Sequence, residues 1–336
     1  MGRSIAGKSY LPIVLNADNF PYDINPSEVY YQLFLAGDPL PHGYLRPETV
    51  AKMPWTPSFS ISHEHPRSVT VLDSSQGSNS AATFTAAFSE LVDVCIAQDT
   101  FRLIAKRHSE PFVILSYPSS RDEGRKESET VTIERFAAPL FGILLQGAHM
   151  IAYVRSRATE DDAGVMSGIW IPRRAKHLFS SPNMLDASVA GGIAAGVSPL
   201  ETIIKEAGEE ASLPPELVRT RVRSTGLLSY VSSTDAIHGW PGESGLVCPG
   251  IVYTYDMELP ADVIPKPHDG EVGSYALMSV GDVQSALLNN EFKPDAAVVV
   301  LDFLIRHGFV TADNERNFIQ ITEHMHRRLP FRVGGV

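Results

Sequence analysis

Three glutamates, Glu206, Glu209 and Glu210, fall at i, i+3 and i+4 in the segment Lys205-Glu206-Ala207-Gly208-Glu209-Glu210-Ala211-Ser212-Leu213. On an α-helix they project within about 100° of one another and share one small volume. Carboxylates crowded in this way repel unless something positive sits among them. A hard divalent cation such as Mg2+ suits them, because it takes carboxylate oxygens together with water and phosphate oxygens. The same run also reads as a solvated acidic face, and Glu201 and Lys205, spaced i, i+4, as a simple surface ion pair. The residues alone leave both readings open.

The element that must position the acids is well signalled. Ser198 is a suitable N-cap, Pro199 stands at the first helical position, Glu201 closes a capping box, and Pro214-Pro215 ends the run, so the pattern predicts a helix over Pro199–Ala211. Strands are expected at Phe141–Val154, Gly168–Pro172, Ser224–Ser232 and Gly250–Glu258, with a turn at Arg157–Ser167. Helices are expected at Val280–Asn289 and Asp295–His307, and an amphipathic segment at Asn314–Arg328. In the first third, Asp73–Ser80 reads as a loop, and Ala81–Arg107 carries Phe84, Phe88, Leu91, Val92, Cys95 and Ile96 at helical spacing. The charged stretch Arg121–Glu129 reads as a linker or hairpin loop. That first third offers packing without recognisable chemistry.

The stretch from Gly191 to Leu213 resembles the Nudix box, G-x5-E-x7-R-E-U-x-E-E-x-G-U, where U is aliphatic. Gly191, Glu206, Glu209, Glu210 and Leu213 match at the required spacing, with Lys205 for the usual Arg, Ala207 for the aliphatic residue and Ser212 for the last Gly. Most of the chain also resembles the fungal and plant Nudix subfamily related to thiamine pyrophosphokinase, through Asp18-Asn19-Phe20-Pro21-Tyr22, Ile169-Trp170-Ile171-Pro172-Arg173-Arg174, Met184-Leu185-Asp186, Asp269-Gly270-Glu271-Val272 and Glu291-Phe292-Lys293-Pro294. The resemblance implies an α/β fold, a Nudix-type α/β/α sandwich with a mixed sheet over 131–336, preceded by an α+β extension over 1–130. It implies that Glu206, Glu209 and Glu210, with the Gly191 carbonyl, hold Mg2+ or Mn2+ against a diphosphate, and that a metal-activated water attacks phosphorus. Arg173, Arg174 and Glu271 are the expected substrate contacts.

Three departures from the family pattern weigh on the reaction. Val197 stands where the box has its first Glu, and Gly250 and Gly273 stand where relatives look acidic. Valine can neither bind a metal nor accept a hydrogen bond. The expected activity is therefore hydrolysis of a small organic or nucleoside-like diphosphate, thiamine diphosphate derivatives by resemblance. The alternative is a diverged biosynthetic enzyme that processes a prenyl diphosphate or catalyses a non-hydrolytic cyclisation or isomerisation. For the alternative, His149, His177, His238 and His268 are candidate acids or bases.

Composition bounds the rest. The chain has 336 residues, 43% of them hydrophobic and 20% charged, which suits a soluble globular protein of more than one average domain. A net charge of -11 argues against a broad nucleic-acid surface. The apolar run Leu11–Leu15 is too short to span a bilayer, and Cys95 and Cys248 form no metal or disulfide pattern, so a cytoplasmic location is expected. The expected partner is a small-molecule substrate, with no nucleic acid or membrane, and a homodimer is admitted. His63-Glu64-His65 and His324-Met325-His326 are spaced i, i+2, which splays imidazoles apart on a helix.

Overall fold

In a computed structural model of the chain, residues 8–104, 109–115, 130–156, 165–236 and 240–331 are described. The expected loop at Arg121–Glu129 and most of the expected turn at Arg157–Ser167 lie outside them. The first part runs α1 (Leu11–Ala17), α2 (Pro26–Val29), β1 (Tyr31–Leu35), β2 (Gly43–Leu45), α3 (Pro47–Lys52), β3 (Phe59–Ser62), β4 (Ser68–Val71), α4 (Ser80–Ala97), β5 (Pro111–Val113) and β6 (Thr132–Glu134). The second runs β7 (Leu145–Arg155), β8 (Met166–Arg174), β9 (Val189–Gly192), α5 (Pro199–Ala211), α6 (Pro215–Arg221), β10 (Arg223–Ser233), β11 (Val247–Glu258), β12 (Val272–Met278), α7 (Val280–Leu288), α8 (Pro294–Arg306) and α9 (Phe318–Met325).

The large sheet has the order β10-β11-β7-β8-β12, with β9 also paired to β7. It is mixed, because β11 and β7 are parallel while the other pairs are antiparallel. Side-chain alternation along β7 sends Ala148, Met150, Ala152 and Val154 into a cluster with Ile203, Ile204, Ala207 and Ala211 of α5, while Ile151 packs on the opposite face with α1, α7 and α8. The result is helices on both faces of one mixed sheet, an α/β/α sandwich. A smaller sheet, β2-β1-β4-β3, packs with α4 in a separate cluster built on Leu33, Leu35, Phe84, Phe88 and Leu91.

Helix α8 shows how packing overrides propensity. Val298, Val299 and Val300 are each poorer helix formers than Ala by about 0.5 kcal/mol, but burial of each contributes about 2 kcal/mol. All three lie in the core. Elsewhere the sequence pattern overshoots. The helix expected to Arg107 ends at Ala97, where Gln98 caps it and Asp99 takes φ 51°. The strand expected from Phe141 starts at Leu145, because Ala138–Phe141 forms a 3-10 turn closed by Gly142 at φ 62°. There a Cβ would meet the Tyr44 carbonyl oxygen at 2.2 Å, so only glycine fits. The segment expected at Asn314–Arg328 is helical only over Phe318–Met325.

One buried titratable group in the smaller unit makes a pH prediction. His42 is fully enclosed 3.5 Å from Asp38, and burial outweighs that carboxylate and holds the imidazole pKa down at about 4. The unfolded chain takes up this proton near pH 6.5, so between 6.5 and 4 the unfolded state binds more protons. Stability should therefore be fully present above 6.5 and fall by up to about 3 kcal/mol as pH drops through this window. Denaturant titrations of the wild type and His42→Asn across pH 4–7 check it: the fall should shrink in the variant.

Candidate functional site

Strand β9 ends in Gly191-Gly192, the chain turns through Ala194–Val197, and α5 begins at Ser198. The Val197 N–H donates to the Ala194 carbonyl at 3.1 Å, and Gly196 supplies the positive φ of 79° that such a turn needs. Ser198 Oγ accepts from the Glu201 N–H at 3.2 Å, so the cap forms as expected. The return half of the capping box does not form. The Glu201 carboxylate instead takes a bidentate pair from Arg219 at 2.6 and 2.8 Å. At the other end, Ser212 holds φ 55° and its Oγ donates to the Lys266 carbonyl at 3.0 Å, which shows why glycine suits this box position.

The helix carries its acids to different environments. Glu210 is 6% exposed and accepts a hydrogen bond from the Ala190 N–H of β9 at 2.9 Å. Glu206 lies over Gly191, where a Cβ would come 2.4 Å from its Cγ and 2.7 Å from its Oε1. The side chain of Glu209 is 49% exposed, 3.3 Å from the Lys205 ammonium, which also lies 3.6 Å from Glu206. The three acids of the spacing argument thus differ in exposure, with Glu206 and Glu210 covered and Glu209 outermost. Lys205 and solvent hold Glu209 at the rim, and among the described residues no three His, Cys, Asp or Glu side chains close on a common point.

Burial dominates the electrostatics of the inner pair. It pushes the Glu210 pKa well above the carboxylate range, against the opposing Ala190 N–H, and Asp186, Glu206 and Glu271 add to the rise. Burial likewise lifts Glu206 to about 7, against the pull of Lys205, with Glu209, Glu110 and Glu271 adding to it. Two desolvated carboxylates whose burial disfavours their charged forms, with oxygen donors only, fit a hard divalent cation, which would compensate those charges. Few protein ligands are on hand, so water and substrate oxygens would complete the shell.

A cavity of about 310 Å3 opens beside this edge, lined by Gly191, Gly192, Glu271 and Arg174 among others. Arg174 is committed inside the protein: it pairs with Asp186 at 2.8 Å and donates to the Ser180 and Ser181 carbonyls. Arg173 does not line the cavity. It donates to the Asn183 carbonyl at 2.8 Å and lies 3.8 Å from Glu291. Gly250 lies on the cavity wall with the Tyr230 ring against it, 2.8 Å from where its Cβ would stand, while Gly273 sits at an irregularity between β12 and β8.

Of the other candidates, His149 lines the cavity, His177 and His268 are exposed, and His238 lies outside the described residues. His63 bonds Tyr31, and His324 bonds Asp18. Trp170 is buried, while Trp240 and Tyr230 line the cavity. Lys293 and Asp295 also line it, a site that sequence reasoning missed because a Lys-Pro-Asp start looks like ordinary helix capping.

The Gly191 contact yields a prediction. Gly191→Ala leaves no room for the Glu206 carboxylate, so it should lower catalytic efficiency by about tenfold or more while far-ultraviolet circular dichroism stays unchanged.

No protein-family model matches the chain. It is 39% identical over 203 residues to the uncharacterized protein YJR142W of Saccharomyces cerevisiae, covering 60% of this chain and 58% of that protein. It is 33% identical over 198 residues to Nudix hydrolase 20, chloroplastic, of Arabidopsis thaliana, covering 59% of this chain and 48% of that one. The chain spans about half the length of the curated relatives it matches. Among solved structures, DR0079 from Deinococcus radiodurans has a TM-score of 0.33 at 19% identity, covering 47% of this chain and 82% of that one. The chain thus sets a mixed sheet between helices, with a glutamate-bearing helix entered from a glycine-ended strand. The identities to plant Nudix hydrolases, over 54% to 59% of this chain, make it similar to the Nudix superfamily.

Proposed function

We propose that the chain is a divalent-metal-dependent hydrolase that cleaves the diphosphate of a small organic molecule, with thiamine diphosphate derivatives as first candidates through the subfamily resemblance. The observation that carries the reading is the desolvated pair Glu206 and Glu210, facing β9 beside the open cavity. Glu206, Glu210 and the Gly191 carbonyl would hold Mg2+ or Mn2+, with Glu209 adding negative charge from the rim. The bound ion neutralises phosphoryl oxygens and lowers the pKa of water. Gly191 leaves room for the Glu206 carboxylate, the Ala190 N–H fixes one Glu210 oxygen, and Glu271 stands on the same cavity as a proton acceptor.

One observation favours a second reading, a biosynthetic enzyme acting on a prenyl diphosphate or on a phosphate-free substrate. The wall where an acid would stand at position 250 is filled by the Tyr230 ring, which makes the cavity more apolar. A panel of thiamine diphosphate, nucleoside diphosphates and a prenyl diphosphate, assayed for released phosphate with and without Mg2+, separates the two. Hydrolysis should need Mg2+, fall to background when Glu206, Glu209 and Glu210 all become Gln, and rise with Val197→Glu. Turnover unchanged in the triple variant would sink the hydrolase reading.

A further inference from the structure

The cavity has a second charged wall that diphosphate chemistry does not use. His149 on β7 is 4% exposed, its ring lines the cavity, and its Nδ1 has no hydrogen-bond partner among the described residues. A buried ring nitrogen left unpaired costs about 1–3 kcal/mol, so its retention beside an open cavity asks for a ligand. Across from it stands the start of α8. Lys293 Nζ lies 2.9 Å from Asp295 Oδ2, and Asp295 Oδ1 accepts from the Ala296 N–H at 2.9 Å. Both Asp295 oxygens are therefore engaged, while the ammonium keeps donors to spare.

The charges on this wall cancel in pairs. Lys293 is matched by Asp295 and Arg174 by Asp186, and burial lowers the His149 pKa, so the imidazole stays neutral. A phosphate placed here would meet two carboxylates as well as two cations and gain little. A neutral group that accepts a hydrogen bond gains from Lys293 without a desolvated charge of its own. The cavity between the walls is framed by Phe112, Phe136, Phe179, Tyr230 and Trp240, flat faces against which a ring can stack. The two walls are contiguous: Ala190, opposite His149 in the β7–β9 ladder, is the residue whose N–H bonds Glu210.

We infer that His149 and Lys293, with Asp295 behind the lysine, form the subsite for the organic end of the substrate, a flat, uncharged heteroaromatic ring that accepts a hydrogen bond from Lys293 and pairs with His149 Nδ1. The subsite rests on the hydrolase reading only in taking the diphosphate to lie at Glu206 and Glu210.

Calorimetry on the full chain tests it with four probes: thiamine, through its uncharged aminopyrimidine, and adenosine as rings, farnesol as an apolar chain, and inorganic diphosphate with Mg2+. At least one ring should bind and farnesol should not. His149→Gln and the charge-balanced double variant Lys293→Met with Asp295→Asn should each weaken ring binding about tenfold or more, with diphosphate binding unchanged. In turnover the same variants should raise KM and leave kcat nearly intact. Because the variants disturb buried groups, a wild-type measurement stands beside them: adding the ring should move the 15N resonances of one histidine, the one missing from His149→Gln spectra.

Binding of neither ring, preference for farnesol, a still His149 resonance, or equal loss of ring and diphosphate affinity would each overturn the subsite. Failure of the hydrolase reading looks different: ring binding would persist, sensitive to His149 and Lys293, with no phosphate released.

Discussion

Glu210→Gln is expected to lower turnover by about 100- to 1,000-fold, and Glu209→Gln by less than about tenfold, although the two are adjacent in the same helix. The difference comes from their surroundings. Glu210 is desolvated against β9, and its charge there is one that only a cation can compensate, whereas Glu209 is half in water and already shares Lys205. The amide keeps an oxygen for the Ala190 N–H, so the fold should survive. Because burial disfavours the Glu210 carboxylate, the metal-free Glu210→Gln protein should also melt higher than wild type, activity and stability moving in opposite directions. Steady-state kinetics at saturating Mg2+ and a thermal melt in chelator check both halves. Comparable activity losses at 209 and 210 would move the metal out to the rim.

The second large effect is on stability. Asp18 closes a buried polar network: its side chain is 1% exposed and accepts from the Val231 N–H at 2.9 Å, Arg327 at 3.1 Å and the Tyr22 hydroxyl at 2.6 Å, with His324 Nδ1 also at 2.6 Å. Arg327 in turn lies 3.9 Å over the Tyr22 ring and donates to the Phe20 and Pro21 carbonyls. Asp18→Ala leaves the Arg327 charge buried without its partner and the Val231 N–H unpaired. It should cost about 3–5 kcal/mol in urea unfolding, a large fraction of a domain's stability. A loss under 1 kcal/mol would show that water replaces the carboxylate.

The same two regions show what the sequence reveals and what it hides. Helix α5 was legible to the residue because its signals are local: Ser198, Pro199 and the periodic Ile203, Ile204, Ala207 and Ala211 act within one or two turns. The separate fates of Glu206, Glu209 and Glu210 were not, since helical geometry fixes the angle between side chains but not which of them a sheet covers. His149 and Asp295 are far apart in the chain, and only the packing of α8 against β7 brings them to one cavity. The Asp18-Asn19-Phe20-Pro21-Tyr22 motif was visible as a family feature, but its structural meaning depends on Arg327 and His324.

The packing of α1 against α8 and α9, with Ile13, Val14 and Ala17 in the core that holds Phe303 and Leu304, also bears on how the chain acquires its shape. The first described helix finds its place only after residues roughly three hundred positions later exist. During synthesis, at about 5–20 residues per second, that seat is missing for something like 15 to 60 seconds. The small sheet with α4 can fold in the meantime, whereas the sandwich must wait for a closing contact of very high sequence separation.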